Sequence, residues 1–161
     1  MNRAISLDLI PTSLELKYKQ AITSAEFCAF AVTLYENVKG IEITGRQTFT
    51  DTDDTNVEKM AALGVVNGIS PGIFAPASSL TREQAATILA RLARALGRHF
   101  PLQETTFGDK GSISDWALEA VGQVQAAGIM SGVRTDTFSP MGPYTIEQSI
   151  ITMLRMYDAM K

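Results

Sequence analysis

The sequence is poor in the residues that usually carry chemistry: one cysteine, one histidine and one tryptophan among 161 residues. A single cysteine excludes an internal disulfide. Cys28 sits in the apolar run Phe27-Cys28-Ala29-Phe30 and reads as a small buried hydrophobe rather than a reactive thiol. His99, in the linker Gly97-Arg98-His99-Phe100-Pro101, has no His or Cys partners with which to form a zinc site of the usual kind. No metal and no cofactor are expected. Net charge is only −3 and there is no basic run, which argues against a surface that tracks nucleic-acid phosphates. No apolar stretch is long enough to span a bilayer. The opening Met1-Asn2-Arg3-Ala4-Ile5-Ser6 lacks the basic-then-apolar pattern of a signal peptide. If the protein works outside the cell, its leader is expected on a longer parent chain or already removed. There is no paired nucleophile and base and no glycine-rich phosphate loop, so the chain does not read as an enzyme. The carboxylates Asp51, Asp53 and Glu83 are the weak remnant of such a reading. The stretch from Asp51 to Asn56 fails as a calcium loop, because Asn56 and Ala62 stand where glycine and a bidentate glutamate are required.

What the chain does have is a repeated segment. Residues 74–84 read FAPASSLTREQ, and residues 138–148, offset by 64, read FSPMGPYTIEQ. A weaker copy around Ile22-Thr23-Ser24-Ala25-Glu26 lies at an offset of 58. Repeats of this length stack to build a core that none could bury alone. In each copy a threonine (Thr23, Thr81, Thr145) is followed three residues later by Glu26, Gln84 or Gln148. That spacing predicts a capping box at the start of a helix three times over. Behind each box runs a helical apolar stripe: Phe27, Phe30, Ala31 and Leu34; Ala85, Leu89, Leu92 and Ala93; Ile150, Met153 and Met156. Gly40 and Gly97 fit as C-terminal glycines of the first two.

A shorter helix is predicted before each box. In the third copy it carries Trp116, Ala120, Val121 and Val124 and stops at Gly128; in the second, Val57, Met60 and Ala61 lead to Gly64. Val65-Val66-Asn67-Gly68 and Ile129-Met130-Ser131-Gly132 then follow, with Gly68 and Gly132 suited to a tight turn. In the first copy there is room only for a stub before Asp8. The polar, glycine-containing stretches 39–47 and 97–106 join the units. The expected fold is mainly α: three helix-loop-helix units in a pseudo-threefold array around a central three-helix bundle, with clefts at the N-terminal ends of the long helices.

These residues resemble S-layer homology domains, modules of bacterial surface proteins usually built from three tandem motifs. The resemblance rests on Phe49-Thr50-Asp51, Phe107-Gly108-Asp109, Trp116, the run Gly128 to Gly132, and Leu80-Thr81-Arg82-Glu83-Gln84. It covers nearly the whole chain, as a single domain over 1–161 with motifs at about 1–40, 49–97 and 107–161, the first truncated. It implies a non-catalytic module at the bacterial cell surface. Such a module would bind anionic, pyruvylated secondary cell-wall polysaccharide and tether a surface protein whose cargo lies on a longer parent chain. The alternative is a degenerate copy serving as a structural or self-association module. In the family the arginine of the Thr-Arg-Glu motif contacts the anionic sugar. Here it survives only as Arg82, with Ser24 and Ile146 at the equivalent positions. The resemblance therefore implies a ligand-binding set of Arg82, Asp51, Asp109, Trp116, Gly68, Gly132, Thr81 and Glu83, centred on one complete cleft.

Each of these has a plainer role. Asp51 and Asp109 could cap turns. Trp116 fits the apolar face of its helix and is expected in or partly in the core. The glycines could be turn residues. Arg82, a cation in the first turn of a helix, opposes the helix dipole at about 0.3–1 kcal/mol; a bound carboxylate is one candidate to offset it, and the plainer reading is that Arg82 pairs with a nearby aspartate or simply extends into water. If the sugar is the partner, Arg82→Ala should lower affinity and leave thermal stability nearly unchanged.

Overall fold

The computed structural model describes residues 18–161, which fold into helices and irregular loops. The helices are α1 Ser24–Lys39, α2 Thr55–Ala62, α3 Arg82–Ala95, α4 Asp115–Ala126 and α5 Ile146–Ala159, with one 3-10 turn at Lys110–Ser112. Pairing between extended segments is confined, among the described residues, to isolated bridges. The expected stub before Asp8 lies outside the described residues, as does most of the first motif's opening.

The three long helices begin where the threonines predict. Thr23, Thr81 and Thr145 all hold an extended backbone, and their Oγ1 atoms accept the amides of Glu26, Gln84 and Gln148. In α1 and α3 the box closes: the amides of Thr23 and Thr81 donate back to Glu26 Oε1 and Gln84 Oε1, each at 2.9 Å. In α5 only half of it forms, because Gln148 Oε1 accepts instead from Arg82 Nη1 at 3.1 Å. The expectation of three closed boxes is corrected there. A guanidinium from the neighbouring unit is the stronger donor for that oxygen. Gly40, Gly64, Gly97 and Gly128 adopt positive φ at helix ends, as their placement predicts.

The apolar stripes form one core. Phe27, Phe30, Leu34, Leu89, Leu92 and Met156 are fully or almost fully buried. So is Cys28, whose pKa is pushed up by burial and, second, by the charge of Asp54. On α4 the buried stripe is Ala117, Ala120, Val121 and Val124. Trp116, one position to the side, is 59% exposed, so its expected place in the core is corrected. The most extensive helix contacts are α3 with α4 and α1 with α2, followed by α1 with α5. Each short helix thus packs on the long helix that precedes it in the chain.

The starts of the long helices are joined by backbone. Ile22 N–H donates to Tyr144 O at 2.9 Å, Tyr144 N–H to Leu80 O at 3.1 Å, and Leu80 N–H to Ile22 O at 3.0 Å. Each of these residues immediately precedes a capping threonine, and the three bonds close a ring. A second set repeats the relation one step on: Ser24 N–H to Ser78 O, Arg82 N–H to Gly142 O, and Ile146 N–H to Gln20 O. Amides of the first helical turn, which have no partner inside their own helix, are in this way satisfied by the loop of a neighbouring unit.

Candidate functional site

Two clefts flank this ring and correspond position by position. One, of about 230 Å³, is lined by Ser24, Asn67, Gln84, Thr87, Arg91 and Trp116, over an apolar floor that includes Phe74 and Leu80. The other, of about 140 Å³, is lined by Arg82, Ser131, Gly132, Gln148, Ile151 and Arg155. Asn67, Gln84, Thr87 and Arg91 of the first stand 64 residues before Ser131, Gln148, Ile151 and Arg155 of the second. Ser24 occupies in the first the place that Arg82 occupies in the second.

Arg82 is only 5% exposed. Its Nε donates to Phe138 O at 2.8 Å, its Nη2 to Ser131 O at 2.6 Å and its Nη1 to Gln148 Oε1. The guanidinium carbon lies 4.8 Å from the centroid of the Phe138 ring. Burial pulls its pKa down, opposed by the fields of Tyr144 and Asp109; it stays a guanidinium at any physiological pH. Three neutral acceptors thus stabilise the cation that the helix dipole disfavours. A side chain so placed ties the 131–138 loop to α3, which argues against the expectation that its removal leaves thermal stability nearly unchanged.

The two aspartates clamp loops. Asp51 accepts the amides of Phe74 and Ala75 at 2.9 and 2.8 Å. Asp109 accepts those of Phe138 and Ser139, both at 2.9 Å. The second residue of each pair has positive φ, 61° at Ala75 and 60° at Ser139, a conformation unfavourable for a side-chain-bearing residue. The carboxylate holds the amide on which that turn depends. These bonds lower the Asp51 pKa, Phe74 contributing most. For Asp109, burial is the largest single influence and acts upward, but the bonds from Phe138 and Ser139 outweigh it and the net shift is downward.

Glu83, 2% exposed, accepts both the amide and the hydroxyl of Ser114 at 2.9 and 2.7 Å. It caps α4 from another helix, where Ser114 makes no side-chain cap of its own. Thr81 is occupied by its capping box. A Cβ on Gly68 would lie 2.5 Å from Ile73 O, and one on Gly132 2.4 Å from Arg134 O; both turns close too tightly for a side chain. Asp54, from the acidic cluster, caps α2 through Asn56 and Val57.

Of the eight residues singled out in the sequence, Arg82 and Gly132 meet in the smaller cleft, and Trp116 stands at the larger. Gly68 lies between two residues lining the larger cleft. Asp51, Asp109, Thr81 and Glu83 lie behind the cleft walls, holding them. Sequence reasoning passed over Arg91 and Arg155. The signal was present: each lies ten residues after a capping threonine. With its amide oriented to suit its neighbours, Asn67 accepts from Arg91 Nη1 at 3.3 Å. Arg155 Nη1 donates to Ile129 O at 3.2 Å.

The family model described as "S-layer homology domain" matches residues 48–86 and 106–143. Both segments run from before the clamping aspartate to the start of a long helix or the residues just before it. The chain is 29% identical over 139 residues to an amylopullulanase of Thermoanaerobacterium thermosulfurigenes, a match covering 83% of this chain and 7% of that protein. It is 28% identical over 138 residues to exoglucanase XynX of Acetivibrio thermocellus, covering 81% of this chain and 12% of that protein. It is 27% identical over 140 residues to a surface layer protein of Brevibacillus choshinensis, covering 85% and 12%. The chain therefore spans about a tenth of the length of these curated relatives. The activities in their names belong to proteins far longer than the matched portion.

Proposed function

Since residues 48–86 and 106–143 belong to the S-layer homology domain family, we propose that this protein is a non-catalytic cell-wall anchoring module of the bacterial cell envelope. Its ligand is an anionic secondary cell-wall polysaccharide carrying pyruvyl groups, and its cargo lies on a longer parent chain. The three units form a pseudo-threefold array, and the sugar enters one of the two clefts beside the hydrogen-bonded ring. The observation that carries this reading is the family match together with paired clefts that each hold an arginine and hydrogen-bonding side chains, the pairing expected for a charged saccharide. The match to a surface layer protein supports the location. No helix among the described residues is long and apolar enough to cross a membrane.

One observation favours a second reading. The motif arginine, present only at position 82, is buried and spends three of its five N–H donors on internal acceptors, as a structural or self-association module without glycan binding would have it. Sedimentation of the purified chain with cell walls separates the two, before and after extraction of the secondary polymer. Anchoring requires binding to native walls that is lost on extraction. Undiminished binding to extracted walls would rule out the polysaccharide. Self-association with no wall binding would favour the second reading.

A further inference from the structure

We infer that the acid-bearing sugar is held in the Ser24–Trp116 cleft, with Arg91 as its anion partner and Trp116 as its stacking surface, and that Arg82 is a positioning residue in the other cleft. This rests on the anchoring reading and assigns its site. The first argument is room. Ser24 leaves open the space that Arg82 fills in the sister cleft, and its hydroxyl turns away to Ser78 O at 3.2 Å. The part of the sister cleft beside Arg82, about 140 Å³, runs on past Ser131, Gly132 and Arg155 into a more open hollow, whereas the Ser24 cleft holds about 230 Å³, below the roughly 300–1,000 Å³ of drug-sized sites. It suits one pyranose ring, with the rest of a polymer outside.

The second argument is available charge. Among the described residues, Arg91 is the only charged one lining this cleft. It is half-buried and forms no ion pair among the described residues. Its one hydrogen-bond partner among the described residues is the Asn67 side-chain oxygen at 3.3 Å, near the long limit for such a bond. A guanidinium with donors to spare in a partly desolvated cleft favours a carboxylate, which it can take in a bidentate grip. In the sister cleft Arg82 has three of its five N–H donors engaged, and Arg155, which donates once to Ile129 O, is exposed and so less desolvated than Arg91. The third argument is the aromatic. Trp116 is 59% exposed and stands at the cleft with Ile69, itself 73% exposed. An indole and an isoleucine left in water beside a polar cleft provide the flat apolar surface that the C–H face of a sugar ring covers. The corresponding cleft has no aromatic in its lining.

Trp116 is the only tryptophan in the chain, so its fluorescence reports on this cleft alone. The full chain is titrated with a methyl hexoside carrying a pyruvyl ketal and with the same sugar lacking the pyruvyl group. Binding to native and polymer-extracted walls is measured in parallel for Arg91→Gln, Trp116→Ala, Arg155→Gln and Ser24→Arg. The pyruvylated sugar is expected to shift the tryptophan emission, and its neutral counterpart to bind at least about tenfold more weakly. Arg91→Gln and Trp116→Ala should each weaken wall binding about tenfold, while Arg155→Gln changes it less than twofold. Ser24→Arg restores an arginine at the motif position but fills the cleft, so it should also weaken binding. Loss of binding in Arg155→Gln with Arg91→Gln unaffected, or a gain of affinity in Ser24→Arg, would overturn the assignment and leave the anchoring reading standing. Failure of the unmodified chain to bind native walls would overturn both.

Discussion

Replacing Arg82 by alanine should destabilise the fold by about 3 kcal/mol, and the magnitude follows from its surroundings. The side chain makes three charge-assisted hydrogen bonds, roughly 1.5–3 kcal/mol each before costs. Burying a guanidinium costs several kcal/mol, and removing a cation from a helix N-terminus returns about 0.3–1 kcal/mol. Alanine is also the slightly better helix former, by a few tenths of a kcal/mol. Against these gains, Phe138 O loses its charged donor while Phe138 remains fully buried, about 1–3 kcal/mol on its own. Ser131 lies at the surface, so water can replace the donor there at little cost. The losses win. For a chain of this size about 3 kcal/mol lowers the thermal midpoint by roughly 6–12 °C. Arg82→Lys should recover less than half of the loss, because one ammonium cannot meet three acceptors that face a planar fork. Thermal and urea unfolding of the two variants against the parent provides the measurement. A midpoint within 2 °C of the parent for Arg82→Ala would refute the claim that Arg82 ties the 131–138 loop to α3.

The remaining expectations concern groups behind the cleft walls. Asp51 and Asp109 both titrate below the usual aspartate range in the folded chain. Their contribution is therefore fully present above the unfolded pKa of about 3.9, and it is lost as pH falls through the lower folded values. The double variant Asp51→Asn/Asp109→Asn should lose less stability than the parent between about pH 5 and pH 2; parallel profiles of thermal midpoint against pH would count against the clamps. Glu83→Ala removes the carboxylate that caps α4 and should cost about 2 kcal/mol. Amide exchange should speed up at Ser114 and through the first turn of α4, and unchanged protection there would show that the cap does not come from Glu83.

How much of this could be read from the chain depends on distance along it. The helix starts were legible because a capping box is a local arrangement within four residues. The halved box at Thr145 was not, since Gln148 is drawn away by Arg82, 66 positions earlier. The apolar stripe of α4 was found, but Trp116 was placed on it. The period of 3.6 leaves a neighbouring position ambiguous, and packing resolved it in favour of Ala117, the smaller residue against α3. The clamps from Asp51 to Ala75 and from Glu83 to Ser114 span 24 and 31 residues. No local pattern marks the acceptor end of such a bond. Arg91 carries no local mark either, because its cleft exists only where Val66, Asn67 and Ile69 of the 66–69 loop and Trp116 of α4 lie beside it.

The position after each capping threonine explains how one joint can serve clefts of different size. Its amide always crosses to a neighbouring loop, whether the residue is Ser24, Arg82 or Ile146. The joint is made by backbone and does not depend on the side chain, which leaves that side chain free to vary at the boundary between two units. Its bulk then sets how much of the cleft remains open. Arginine takes up space in one cleft and spends three hydrogen bonds on holding its wall; serine leaves the space beside Arg91 and Trp116 open. On this reasoning the loss of a motif arginine at position 24 does not by itself remove binding capacity. It exchanges a buried internal cation for open volume, and on the assignment proposed above the anion partner is Arg91, about two and a half turns into the adjoining helix.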